Sequence, residues 1–464
     1  MRIFSRASAR TSVHAPEAII PNLAVQSPKR THQALAGWDG FFPYYAGYPE
    51  IFARSLLESA KLPKDAVVYD PWNGSGTTTY SAARLGLMSH GSDLNPVMII
   101  VARARLLPPS EADSIVPLAT DTIKGVRADP RSLDANDPLL WWFNRPTASA
   151  IRAIERRIRH QLVGDRTVTN EGLKLENISG LAATFYVALF SVCRHLTIRY
   201  QSSNPTWLRR PKGREWRVGA QRADILSAFV TSLESMAAVL ALRVAETSSE
   251  YAQSFLKVAD ATKDAMPNAS VDFILTSPPY CTRIDYSAAT RIELAILHPL
   301  LHIEMEELGR QMIGSTRVPD HEITVADNWG ATCAKFLRMV KRHPSKASSG
   351  YYLKTHLDYF EKMSASLGNL SSALKPQGAA ILVVQDSYYK DVHNDLPTIT
   401  TEMAQSFGLK LRRREDFRLQ RSMAGINPYS RTYKRVPGAL EAVLCFEKVG
   451  TEGKKAKKAH KAPS

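Results

Sequence analysis

The sequence predicts an α/β protein: a doubly wound, Rossmann-like sheet interrupted by a mostly helical insertion. Three observations carry that expectation. Two short runs, Ala66-Val67-Val68-Tyr69-Asp70 and Met88 to Asp93, alternate with helix-length segments near the start of the chain, the β-α-β-α rhythm of a parallel sheet. A third apolar run, Val271-Asp272-Phe273-Ile274-Leu275, stops at Pro278-Pro279, where consecutive prolines cannot continue a ladder. Finally, Asp70, Asp93 and Asp260 fall at the ends of three successive strands, the edge at which open α/β sheets bind ligands.

Taken in order, residues 1–36 read as a flexible leader. The aromatic, turn-rich stretch Trp38 to Pro49 follows, then a helix expected over Pro49 to Ala60 with Ile51, Phe52, Leu56 and Leu57 on one face. The strand ending at Asp70 leads through Pro71-Trp72-Asn73-Gly74-Ser75-Gly76-Thr77-Thr78 into a helix expected over Thr79 to Leu85. Strand Met88 to Asp93 and helix Val97 to Leu107 complete a first half, 37–107. Residues 108–250 read as an insertion with helices over Ala148 to Gln161, Gly180 to Ile198 and Arg222 to Ala245. The second half, 251–448, resumes with a strand over Phe255 to Asp260 and the strand before the prolines. A helix from Tyr352 to Leu374 and a strand from Ala379 to Gln385 come next. A helix around 396–407 and strands over Leu409 to Arg412 and Ala442 to Glu447 finish it, and 449–464 is a solvated basic tail.

A chain of 464 residues with 44% hydrophobic and 22% charged content can bury a substantial core. Its formal charge is +16, half of it in the two ends; a body that stays basic favours a polyanionic partner, nucleic acid before membrane. Solubility charge alone is the alternative, less favoured than a polyanionic partner. The four cysteines, Cys193, Cys281, Cys333 and Cys445, lie far apart without CxxC pairing, which argues for a reducing compartment and against a zinc or disulfide framework. No secretory h-region opens the chain, and the longest apolar stretch, read as Leu181 to Cys193, is too short to cross a bilayer. A cytoplasmic protein without metal or membrane attachment is the expectation.

The bend Asp70-Pro-Trp-Asn-Gly74-Ser75-Gly76-Thr77-Thr lets backbone approach a ligand at a helix N-terminus. It lacks the Lys of a P-loop and the full GxGxxG of dinucleotide binders, so an amino-acid carboxylate suits it better than phosphate. Asp93 can accept from both hydroxyls of a ribose, and Asp260 from the exocyclic amine of a base. Singly, such acids are more often turn or cap residues. Together they describe a pocket for S-adenosylmethionine.

The glycine bend, the following Gly91-Ser-Asp-Leu-Asn95-Pro and the stretch Thr276-Ser277-Pro278-Pro279-Tyr280 resemble the S-adenosylmethionine-dependent amino-methyltransferases of DNA bases. The resemblance covers about half the chain and implies a class I methyltransferase sheet. It implies that the glycine bend, Asp93, Asn95 and Thr276 bind the cofactor, and that the aromatic stretch holding Tyr45 packs on its methionine moiety. It further implies that Ser277-Pro278-Pro279-Tyr280 hold the target amine, with Ser277 in the first position favouring cytosine N4 over adenine N6. Two features set the chain apart: its glycine bend is worded as in members whose catalytic loop comes first, yet here that loop comes second, and the helical insertion is not standard.

An aromatic amine is a weak nucleophile because its lone pair is delocalised. Hydrogen bonds from it to the Ser277 hydroxyl and the Pro278 carbonyl would localise that pair and aim it. Tyr280 would stack on a base swung out of duplex DNA. Ser277 is a poor general base, so the proton is expected to leave after transfer by way of water.

For nucleic acid, Arg194 to Arg217 supplies Arg194, Arg199, Arg209, Arg210, Lys212, Arg214 and Arg217 against Glu215 alone, interleaved with Tyr200, Trp207 and Trp216. Arg412 to Arg435, with Arg421 and Arg431, is a second candidate; for both, a solvated basic face is the plain alternative. The resemblance leaves room for a cognate restriction endonuclease as partner. A structured-RNA methyltransferase and a non-catalytic nucleic-acid-binding module are the rival readings.

Overall fold

The computed structural model of the chain describes residues 19–29, 37–43, 47–163, 168–169, 172–173, 175–201, 208–243, 251–281, 288–301, 305–315, 321–418 and 440–450. Helix α1 (Glu50–Ala60) buries Phe52, Ala53, Leu56 and Leu57, and ends at Lys61 in a left-handed conformation. Ile51, expected on the same face, is 57% exposed. Strand β1 (Val67–Asp70) buries its last three residues. The glycine bend then feeds α2 (Thr77–Arg84), which starts two residues earlier than its sequence suggested because Gly76 at φ 79° caps it. Strand β2 (Met88–Asp93) and α3 (Pro96–Arg105) follow, the latter capped by Asn95, whose side chain accepts from the Val97 N–H.

The insertion holds α4 (Ala112–Lys124), α5 (Arg145–Ile158), α6 (Gly180–Leu196) and α7 (Arg222–Leu242). Helix α4 carries Pro117 in its interior, which hid it from sequence reading. Helix α7 is 21 residues long and holds an 18-residue window of mean hydropathy 1.9, so by length and composition it could cross a membrane, contrary to the expectation that the longest apolar segment was too short. Here Ile225, Phe229, Leu233, Met236 and Leu240 form its buried face, and it packs against α4 and α6. Residues of α3 and of α4 to α7 share one apolar core.

Beyond the insertion lie β3 (Ser254–Val258), β4 (Val271–Thr276), α8 (Arg291–Leu297), α9 (Met305–Gln311), α10 (Gly330–Arg342) and α11 (Leu353–Ala373). The chain closes with β5 (Leu374–Gln385), α12 (Leu396–Ser406), β6 (Leu409–Arg418) and β7 (Leu440–Lys448). The seven strands form one sheet in the order 3-2-1-4-5-7-6. The pairings of β1, β2, β3, β4 and β5 are parallel, and β7 runs antiparallel to both neighbours.

Strands β5 and β6 exceed their expected lengths by the most. Strand β5 begins at Leu374 rather than Ala379, through a register irregularity opposite Val271 to Phe273 and a positive φ of 65° at Gln377. Strand β6 reaches Arg418, not Arg412. Its Arg412 pairs with Glu447 on β7, Arg413 with Glu415 and Arg414 with Asp416. Such charge is how an edge strand discourages further pairing, and it masks the apolar alternation.

Candidate active site

The carboxyl ends of β1, β2 and β4 and the turn after β3 open onto one cleft, the edge at which α/β sheets bind ligands. Asp70, Gly74, Ser75 and Thr77 line it together with Asp93, Asn95 and Asp260, and so do Ser277, Pro278, Pro279 and Tyr280. The glycine bend and the proline corner therefore face a common space.

Asp70 is 3% exposed and knots the floor together. Thr276 donates to its Oδ1 at 2.5 Å, Thr78 to its Oδ2 at 2.7 Å, and the Trp72 N–H to Oδ1 at 3.1 Å. Burial pushes its carboxyl up to about 6 against these hydrogen bonds. Thr276 is fully buried on this tie and does not line the cleft. Gly76 does not line it either. A Cβ there would stand 2.7 Å from that of Ala102, so this glycine serves the close packing of α2 on α3 rather than approach to a ligand.

Asp93 accepts the Gly74 N–H at 3.0 Å on Oδ2 and the Asn95 N–H at 2.8 Å on Oδ1, and burial pushes it up to about 6. Each oxygen keeps a further lone pair. Asn95 spends its amide on the α3 cap and on Thr290, to which Nδ2 donates at 2.9 Å. Asp260 closes a turn, its Oδ1 accepting the Thr262 N–H at 2.9 Å and hydroxyl at 2.7 Å, the local role that short acids commonly take.

At the proline corner, the Ser277 hydroxyl lies 3.1 Å from the Val383 carbonyl on β5 and 3.4 Å from the Tyr280 hydroxyl. Tyr359 donates at 2.8 Å to the Pro279 carbonyl, whereas among the described residues no donor reaches that of Pro278. The Tyr280 hydroxyl donates at 2.8 Å to Glu441 Oε1 on β7. Glu441 is 9% exposed and its carboxyl is raised by burial, with the Tyr280 bond and Lys29 opposing. Cys281 beside the corner is buried and its thiol is pushed up to about 12, which rules it out as a ready nucleophile.

Several lining residues escaped sequence reading. Tyr45 lies outside the described residues; from the same aromatic stretch Tyr48 reaches the cleft, its hydroxyl 2.6 Å from that of Thr78. Asn73 is 4% exposed, accepts from the Thr79 hydroxyl at 3.0 Å, and among the described residues finds no acceptor for Nδ2. Gly91 makes room for it, since a Cβ there would lie 2.6 Å from Asn73 Cγ. Gln311, Met312 and Ile313 close the cleft from α9 and the turn after it, a segment without a sequence signal.

The basic candidates divide. Arg194 pairs with buried Glu293, donates at 3.0 Å to the Pro43 carbonyl and covers the Phe42 ring at 3.8 Å. It is an internal clamp on α8, not a nucleic-acid contact as expected. Arg199 donates at 2.8 Å to the Trp216 carbonyl, and Arg210 covers Trp141 at 3.6 Å. Arg209, Arg210, Lys212 and Arg214 are exposed, Arg217 is half-buried, and Trp216 is 61% exposed. Trp207, Arg421 and Arg431 lie outside the described residues.

Seven strands in the order 3-2-1-4-5-7-6 with β7 reversed, and a cleft over the ends of β1, β2 and β4, define a Rossmann-like class I methyltransferase fold. In sequence, the chain is 21% identical over 385 residues to the Type II methyltransferase M.MvaI of Kocuria varians, across 77% of this chain and 78% of that protein. A solved rRNA methyltransferase, AviRa of Streptomyces viridochromogenes, aligns with 90% of this chain and 94% of its own at 13% identity. Its TM-score is 0.27, too distant to bear on the fold. No family model matches the chain.

Proposed function

We propose that the chain is an S-adenosylmethionine-dependent methyltransferase acting on an exocyclic amine of a DNA base, cytosine N4 before adenine N6. The observation that carries this reading is the shared cleft, which the glycine bend and Ser277-Pro278-Pro279-Tyr280 both line.

The lining fits the cofactor. Asp93, with a lone pair to spare on each oxygen, would take the ribose hydroxyls. The unpartnered Asn73 Nδ2 suits a carboxylate or carbonyl acceptor, and Gly74 at φ 49° keeps the wall low beside it. Tyr48 and the apolar Met312 and Ile313 would bound the ligand's less polar parts. When bound, S-adenosylmethionine supplies an electrophilic methyl group.

The remaining work falls to this chain. A Ser277 hydroxyl that donates to Val383 turns its lone pairs outward, ready to accept from an amine. The Pro278 carbonyl, held by the two rigid prolines, offers the second acceptor. With its hydroxyl fastened to Glu441, Tyr280 holds its ring in one orientation for stacking. Exposed Arg209, Arg210, Lys212 and Arg214 supply positive charge for a polyanion.

The test is incubation with methyl-tritiated S-adenosylmethionine and unmethylated plasmid duplex, or total RNA, followed by nucleoside analysis. N4-methylcytosine in DNA supports the reading, and N6-methyladenine shifts the base. Label in RNA alone replaces the substrate, and cofactor binding without transfer points to a binding module.

A further inference from the structure

Methylation leaves an exocyclic nitrogen with one proton too many, and Ser277 is too weak a base to keep it. The polar atoms beyond Ser277 form a line. Its Oγ is 3.4 Å from the Tyr280 hydroxyl, which donates at 2.8 Å to Glu441 Oε1. The three residues come from two parts of the fold: Ser277 and Tyr280 from the corner after β4, and Glu441 from β7, 161 positions from Tyr280. Ser277 and Tyr280 line the cleft, and Glu441 lies behind them, almost wholly buried.

Resting on the methyltransferase reading, we infer that Ser277, Tyr280 and Glu441 form a proton relay, with Glu441 the positioning residue and final acceptor. The methylated nitrogen gives its surplus proton to Ser277 Oγ. The Ser277 hydroxyl, turning from the Val383 carbonyl, passes its own proton to the Tyr280 oxygen. Tyr280 passes its proton to the Glu441 carboxylate, which becomes a neutral acid and later returns the proton to solvent. Each oxygen gains one proton and loses one, and no other reactant is required. The same carboxylate holds the Tyr280 ring in place, so one residue serves orientation and proton removal.

Several groups surround Glu441. Tyr280 reaches it from the corner, and Lys29 acts on it from the N-terminal segment. Gln385 on β5 and Phe417 on β6 are its register partners. Next to it, the Leu440 N–H donates to Asp386, which pairs with His393, and Leu440 is opposite Arg418. Burial is the largest influence on its carboxyl and raises it, the direction that favours taking up a proton.

The experiment is steady-state methylation of the substrate found above, with both substrates saturating, from about pH 5 to about pH 9, since each cycle must clear the surplus proton before the next begins. The wild-type rate should rise with pH along an acid limb. Glu441→Gln keeps the shape and an acceptor for Tyr280 but cannot take a proton; its rate should fall about tenfold or more and its acid limb vanish. Tyr280→Phe keeps the ring, cuts the line and should lose the same limb, while Glu441→Asp should restore it in part. Calorimetric affinity for S-adenosylmethionine should be unchanged in all three. Wild-type rates and an intact acid limb in both Glu441→Gln and Tyr280→Phe would overturn the relay. A wild type that neither binds S-adenosylmethionine nor transfers label fails earlier, and removes the methyltransferase reading with it.

Discussion

The Thr276 hydroxyl donates a 2.5 Å hydrogen bond to Asp70 Oδ1, joining the last residue of β4 to the last residue of β1. The two corners that flank the cleft are thereby fastened at their roots. Thr276→Val keeps the shape and removes the donor. It should cost about 1–2 kcal/mol in denaturant unfolding and lower turnover through misplacement of Ser277.

Asp70 also makes stability depend on pH. Its carboxyl sits at about 6 in the folded chain against an ordinary 3.8, so the folded state holds a proton that the unfolded state has released. The stabilisation is fully present below about pH 4 and lost as pH rises to about 6, on the order of 3 kcal/mol. Urea unfolding at several pH values should show that slope in the wild type, and Asp70→Asn should flatten it.

Ser277→Ala should reduce single-turnover methylation about a hundredfold and leave S-adenosylmethionine affinity nearly unchanged. Equal turnover in the variant would mean that the amine is held elsewhere.

Asp93 gives the opposite pattern. Asp93→Ala should weaken cofactor binding by about 2 kcal/mol or more, read by calorimetry. In the wild type, affinity should drop as pH falls below about 6, where the carboxyl becomes neutral and accepts hydrogen bonds poorly.

Arg194 and its basic neighbours should separate cleanly. Arg194→Gln leaves Glu293 buried without its cation and should destabilise by about 3 kcal/mol. Replacing exposed Arg209 and Arg214 with Ala should leave the melting temperature in place, weaken nucleic-acid binding and reduce its salt dependence by up to one unit of slope per lost phosphate contact.

Where the chain signals locally, its sequence was legible. Strand β2 has its expected bounds, because Gly86 before it and Asn95-Pro96 after it punctuate it. The glycine bend and the proline corner are each contiguous and rigid, so both could be read without knowing that they meet. What escaped reading depends on distance. Glu441 is one acid on a distant strand until the sheet order brings it behind Tyr280. Arg194 looked like surface charge because Glu293, its partner, is 99 positions away. Asn73 passed unnoticed within a motif whose glycines drew attention, though Gly91 exists to admit it.

Strand β7 lies between β5 and β6 and runs against both. During synthesis on the ribosome, β6 therefore emerges with no partner, since the neighbour it needs is still to be translated. The phenol of Tyr280 meanwhile has no carboxylate to hold it. Assembly of the sheet edge and maturation of the cleft are thus one late event, and a nascent chain halted before β7 would carry the glycine bend and the corner without the acceptor behind them.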